Sequence, residues 1–232
     1  MKILVIAAHP DDEVLGCGGT LFKLSKDMKN QLFFAFAADG VMGRHRLEEK
    51  EKFLSDIERR RQESVLVAKI LKAEILNKQD KNYYRFNDQR LAQEDFNNVV
   101  GWIKDKIEKS KPDIIYTHFV GDFNIDHRIV AEAVLVAARP SKFEFVKKIY
   151  AFEVNMADTN QGSAVQLLPF NPNVFEKISI NKTLGKIGLF KYYKSEQWAT
   201  WQADIETLAK YRGTNSGFDF AEGFLLLRQR ND

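Results

Sequence analysis

The sequence has little of what would tie a chain to a disulfide scaffold, a bilayer or a nucleic acid. Its one cysteine, Cys17, excludes an internal disulfide, and such usage fits a reducing compartment. No apolar run approaches the roughly 20 residues that span a bilayer. The first residues, "KILVIAA", read as a strand without the cleavage pattern of a secretory signal, so a cytoplasmic protein with no membrane span is expected. Neither sign of charge dominates, because 35 Lys and Arg face 32 Asp and Glu. The net charge of +3 is too small to argue for nucleic acid or a membrane surface. Repeats, low-complexity tracts and Pro/Ser-rich linkers are missing, so residues 1–232 are expected to form one domain. A hydrophobic fraction of 44% against 29% charged residues is that of a globular chain with a core.

Continuous apolar runs at 2–8 and 31–38, with a helix-length segment at 14–28 between them, read as buried parallel strands in a βαβ unit. A long amphipathic helix over 47–71, a weak strand near Ile75, a helix at 96–107, a strand at 112–117 and a helix at 129–138 continue the alternation. The second half is less regular. It offers strands at "KKIYAFEV", "FEKISI" and "EGFLLLR" and helices at 181–193 and 200–211. The expected class is α/β, a Rossmann-like, mostly parallel sheet flanked by helices. Ligands of such sheets sit beyond the carboxyl ends of the strands. Three polar clusters fall there: "AHPDDE" after the first strand, "ADG" (38–40) after the second and "THFVGDFNIDH" (117–127) after the fourth.

The stretch "AHPDDEVLGCGGT" (8–20) sets three acids beside a histidine, where their charges repel. An ordinary turn needs only one Asp or Asn with a glycine, whereas a bound cation would offset the repulsion. His9 and Asp12, three positions apart, could converge on one ion, with His127 as a third ligand. Two histidines and a carboxylate leave a position open for water, the pattern of catalytic zinc. Asp11, next to a ligand and uncommitted, is then the candidate general base for hydrolysis of an amide or ester by a metal-activated water. Taken singly, these residues also suit duller roles. Asp-Asp-Glu makes a good helix start, and a histidine after a strand is commonly a hydrogen-bonded loop residue. "GCGGT" lacks phosphate-loop spacing and reads as a close-packed helix start. Cys17 reads as a small buried residue, His45 as solvent-facing, and Trp198 and Trp201 as core rather than a sugar-stacking platform. His118 either lines the site or is a satisfied structural histidine.

"AHPDDEVLGCGGT" with "THFVGDFNIDHR" resembles the PIG-L, or LmbE-like, family of zinc-dependent N-acetylglucosaminyl deacetylases. "RRRQE" (59–63), "YYKSEQ" (192–197) and "YRGTNSGFDFAEGF" (211–224) are similar to family segments in the same order. The resemblance implies a divalent ion, usually Zn2+ with Fe2+ as the alternative, and removal of acetyl from an N-acetylated sugar or glycoconjugate. It implies His9, Asp12 and His127 as metal ligands, Asp11 as general base and Asp126 as an acid that orients its neighbours. Arg60, with Arg61 as the register alternative, matches the arginine that contacts substrate hydroxyls. Many members carry a histidine three residues before the last ligand, where this chain has Asn124. An amide can donate to an oxyanion but cannot supply a proton, so the acid role falls to Asp11 or His118. Two other readings stand beside the deacetylase: a metal- and sugar-binding protein without turnover, and a nucleotide-binding module built on the glycine cluster. The sequence leaves a homo-oligomer open.

Overall fold

The computed structural model describes residues 1–41, 50–79, 83–155, 168–181, 183, 185–196 and 198–231. His45 and parts of the irregular stretches at 41–49, 78–90 and 155–173 lie outside the described residues, as does the side chain of Trp198.

Seven strands form one sheet: β1 (Lys2–Ala7), β2 (Gln31–Phe36), β3 (Ala73–Ile75), β4 (Ile114–His118), β5 (Lys148–Phe152), β6 (Val174–Lys177) and β7 (Ala221–Gln229). Their order is β3-β2-β1-β4-β5-β7-β6. All pairs are parallel except those of β7 with β5 and β6. The helices are α1 (Asp12–Leu24), α2 (Lys50–Leu71), α3 (Phe96–Ser110), α4 (Ile125–Ala137), α5 (Lys186–Phe190) and α6 (Trp198–Ser216). Among the described residues, no helix is long and apolar enough to cross a membrane.

The unbroken apolar run of β1 follows from its burial on both faces. Ile3, Val5 and Ala7 join a core layer with residues of α1, α2, α5 and α6, while Leu4, Ile6 and Ala8 join another with α3 and α4. The strand order reverses between β1 and β4, which makes their carboxyl ends the crevice where such sheets bind ligands. His9 leaves one of these strands, and His118 ends the other.

Two helices differ from the sequence expectation in ways that matter to the site. Helix α4 starts at Ile125, a full turn earlier than expected, because the Asn124 side chain accepts the Asp126 N–H and caps it. His127 therefore rides on a first helical turn, not in a loop. The helix expected over 181–193 shrinks to α5, since Gly185 is fully extended (φ −131°, ψ −167°).

The glycine cluster is explained by α1 itself. The helix is kinked at Cys17 (φ −140°, ψ 19°), and the Gly19 and Thr20 N–H groups each donate to the Glu222 carboxylate at 2.8 Å. Lys186 Nζ lies 2.9 Å from the same carboxylate. The cradle that might have bound a phosphate thus holds an anion of the chain's own β7. Gly16, one turn earlier, packs under the ring of Phe152, where an added Cβ would stand 2.2 Å from ring carbon Cδ2. Gly16→Ala is expected to overpack this core by roughly 1–3 kcal/mol and lower the melting temperature. An unchanged melt would disprove the contact.

Candidate metal centre

His9 and the acidic run leave β1 through a strained turn. Asp11 has φ 116°, a region that side chains avoid, at a typical cost of about 1–3 kcal/mol. Several groups hold it there. Its N–H donates to Glu13 Oε2 at 2.9 Å, and Glu13 Oε1 accepts the Tyr193 hydroxyl at 2.5 Å. Arg60 Nη1 donates to Asp11 Oδ2 and to the Pro10 carbonyl, both at 2.8 Å. The guanidinium is only 1% exposed, pairs with Glu196 and donates to Ser195 Oγ, which in turn bonds Glu63. Gly40, after β2, has φ +70° and passes so near His9 that a Cβ would lie 2.8 Å from that of the histidine.

The loop after β4 is shaped by alternate polar residues. Asp122 Oδ1 accepts the Asn124 N–H at 2.8 Å, and Asn124 Oδ1 accepts the Asp126 N–H at 2.9 Å. Asp122 and Asn124 in the Asp-x-Asn-x-Asp series thus each fix the backbone two positions on. Arg128 braces the turn by donating to the carbonyls of Asp122 and Phe123.

These loops bring His9, Asp12 and His127 together, with one donor atom from each within 4.8 Å of the others. His9 Nδ1 lies 3.5 Å from Asp12 Oδ2, and His127 Nε2 lies 3.4 Å from Asp12 Oδ1. Each imidazole thus faces its own Asp12 oxygen, and two imidazoles with a carboxylate are donors of the kind a catalytic zinc uses. Each histidine also turns its other nitrogen to a carboxylate. His9 Nε2 meets Asp88 at 2.9 Å and Asp126 at 3.4 Å, and His127 Nδ1 meets Asp122 at 3.1 Å. Such partners fix the tautomer and ring orientation of ligating histidines.

The charges agree with a site made for a cation. Burial opposes ionisation of Asp12, yet the charge of His127 beside it and a hydrogen bond with His9 hold its carboxyl well below the usual range. Burial also works against protonation of His9, but Asp12, Asp126 and Asp88 overcome it and keep its pKa well above the ordinary value. His127 is raised in the same way by Asp12 and Asp122, against its own burial. Asp11 is pushed up to about 7, first by burial, with Arg60 pulling the other way. Burial likewise lifts Glu13 to about 7.

Every predicted site residue converges on this end of the sheet, and two of them stand behind the candidate ligands. His118 was a candidate to touch substrate. It is fully buried, its Nε2 accepts the Ala8 N–H at 2.9 Å, and it stacks on His127 at 3.9 Å. Burial and the neighbouring His127 lower its pKa to about 4. It is therefore a neutral acceptor behind the ligands, which removes it as a proton donor and makes its 3.3 Å approach to Asp12 no ion pair. Asp126, also fully buried, faces His9 and accepts the N–H groups of Gln89 and Leu91, so it orients a ligand and a loop and does not face substrate. Arg60 and Arg61 are now distinguished: Arg61 faces outward onto Glu58, and Arg60 lines the cavity.

Sequence reasoning missed Asp88, Asp122, Tyr193 and Glu196. Asp122 lay within the recognised loop motif, and its spacing to Asn124 was the signal. Asp88 sits in an irregular stretch with no such signal. The cavity over the candidate ligands holds about 310 Å3, and Asp11, Arg60, Asp88 and Glu196 line it together with Leu15, Val154 and Trp201. A larger groove of about 650 Å3 beside edge strand β3 lies away from the candidate ligands.

Comparison with known proteins shows the family and the fold. The PIG-L family model, described as GlcNAc-PI de-N-acetylase, matches residues 4–138. The chain is 27% identical over 206 residues to YaiS of Escherichia coli K12, an uncharacterized deacetylase, a match spanning 83% of this chain and 90% of YaiS. N,N'-diacetylchitobiose deacetylase from Pyrococcus horikoshii, 22% identical, superposes with a TM-score of 0.73 over 98% of this chain and 84% of that one. GalB of Pseudomonas putida, a 4-carboxy-2-hydroxymuconate hydratase 19% identical, also reaches 0.73, over 100% of this chain and 98% of its own. A deacetylase and a hydratase on one fold show that the fold alone does not choose the reaction.

Proposed function

The chain belongs to the PIG-L family, and from that premise we propose that it is a metal-dependent N-deacetylase that hydrolyses an N-acetylated amino sugar or glycoconjugate to a free amine and acetate. The observation that carries the reading is the pairing of a cation-ready donor set, His9, Asp12 and His127, with a buried carboxylate outside that set, Asp11, in the same cavity. Zn2+, or Fe2+ in its place, would be held by those three side chains. When bound it supplies Lewis acidity, polarising the acetamide carbonyl and acidifying water.

The chain's own residues do the rest. Asp11 accepts the proton of the attacking water and returns it to the departing nitrogen as the C–N bond breaks, which yields acetate and amine. Burial pushes its carboxyl up to about 7 in the ion-free site, and the positive charge of a bound ion would draw it lower. Arg60 holds the Asp11 carboxylate in place. Asn124 uses its oxygen as a helix cap, which leaves its NH2 group as the donor it offers in the cavity it lines, toward the developing oxyanion.

The test is acetate release. Protein loaded with zinc or with iron is incubated with N-acetylglucosamine, N,N'-diacetylchitobiose and larger N-acetylated glycoconjugates. Acetate and free amine are expected in equal amounts from at least one of them. Stoichiometric ion with no acetate from the panel would overturn the proposal in favour of a binding protein without turnover.

A further inference from the structure

Trp201 has no part in the hydrolytic chemistry, yet it shares the cavity with the candidate ligands. It sits in the first turn of α6, half-buried, with one side against Phe190 at 6.0 Å between ring centroids. Among the described residues the cavity lining is otherwise mostly polar, and its apolar members are Leu15, Val154 and Trp201. Leu15 and Val154 are 2% and 5% exposed, whereas Trp201 is half-buried and so the most accessible of the three.

A bare acetamide has no use for such a wall. A pyranose has, since it carries hydroxyls around its edge and C–H groups across its face. The C–H face suits the flat surface of an indole, and the hydroxyls suit the carboxylates and amides around it. At about 310 Å3 the cavity is at the small end of ligand pockets, which suits one sugar ring with its N-acetyl group.

We propose that Trp201 is the platform on which the ring of the N-acetylated sugar lies, so that it selects pyranosides over other N-acetyl amines. The proposal rests on the deacetylase reading for its substrate, but not for its test.

Acetate release is measured on zinc-loaded wild type, Trp201→Ala and Trp201→Phe, with N-acetylglucosamine and with N-acetylethanolamine, an acyclic amide lacking a ring face. Trp201→Ala is expected to raise KM for the sugar roughly 5- to 10-fold, with kcat kept. Trp201→Phe should restore most of the loss, and kcat/KM for the acyclic amide should not change. Equal losses on both amides, or losses that follow a drop in melting temperature, would make Trp201 a packing residue and overturn the platform. A second arm measures binding of N-acetylglucosamine and glucosamine by calorimetry, without turnover. Weaker binding by Trp201→Ala supports the platform even if wild type releases no acetate, in which case the deacetylase reading fails alone. No binding by wild type, or equal binding by the variant, overturns the platform.

Discussion

Asp11→Asn is expected to leave the protein folded and metal-loaded while lowering turnover roughly 10²- to 10⁴-fold, the range attributable to a positioned general base. The substitution removes the proton acceptor and little else. An asparagine keeps an oxygen for the Arg60 hydrogen bond now made to Oδ2 at 2.8 Å. It also tolerates the positive φ of 116° about as well as aspartate does. Its N–H still donates to Glu13. Because burial already pushes the Asp11 carboxyl up to about 7, replacing it by a neutral amide relieves a cost as well as breaking a pairing with Arg60. Stability should therefore change little. The measurement is kcat for acetate release alongside metal content and melting temperature. Undiminished turnover with the ion in place would remove Asp11 from the mechanism and leave the strained turn without a catalytic reason.

How far the site could be read in advance depended on whether its parts were local. His9, Asp11 and Asp12 fall in one turn after a run of buried apolar residues, so strand, turn and helix start announce one another. The Asp122-Asn124-Asp126 turn is equally local, since the Asp122 and Asn124 side chains each fix the N–H two residues on. Asp88 is different. It reaches His9 only because Asp126 accepts the N–H groups of Gln89 and Leu91 and so draws in an irregular segment some 37 residues away in the chain. The glycine cluster was ambiguous for a similar reason: its partner, Glu222, lies about 200 residues further on, and short-range spacing carries no trace of it. The segment 193–196, which holds Glu13 and Arg60 from the far end of the chain, is also outside the matched family region. Local hydrogen bonding was legible, whereas convergence through tertiary packing was not.

The proposed metal ligands and the carboxylates behind them should separate in experiment by the size of their effects. Asp12→Ala deletes the donor that lies between His9 and His127 and leaves two buried histidines with no anion between them. Such a variant is expected to emerge from dialysis without stoichiometric zinc and to release no acetate above background. Asp122→Asn and Asp126→Asn keep all three donors but loosen the histidine each one orients, so zinc affinity should fall roughly 10- to 100-fold, with turnover recovered at higher zinc. Protons give an independent check. Because the surrounding carboxylates raise His9 and His127, the metal-free site holds protons that a cation must displace. In that metal-free form the raised histidines stabilise the fold fully below their unfolded pKa near 6.5, and the contribution is lost as pH rises through the folded value. Zinc binding should therefore release protons and weaken as pH falls, measured by calorimetry in buffers of different ionisation enthalpy. If Asp12→Ala retained zinc as tightly as Asp126→Asn, the ion would sit elsewhere, since no second-rank partner can outweigh the carboxylate both histidines face.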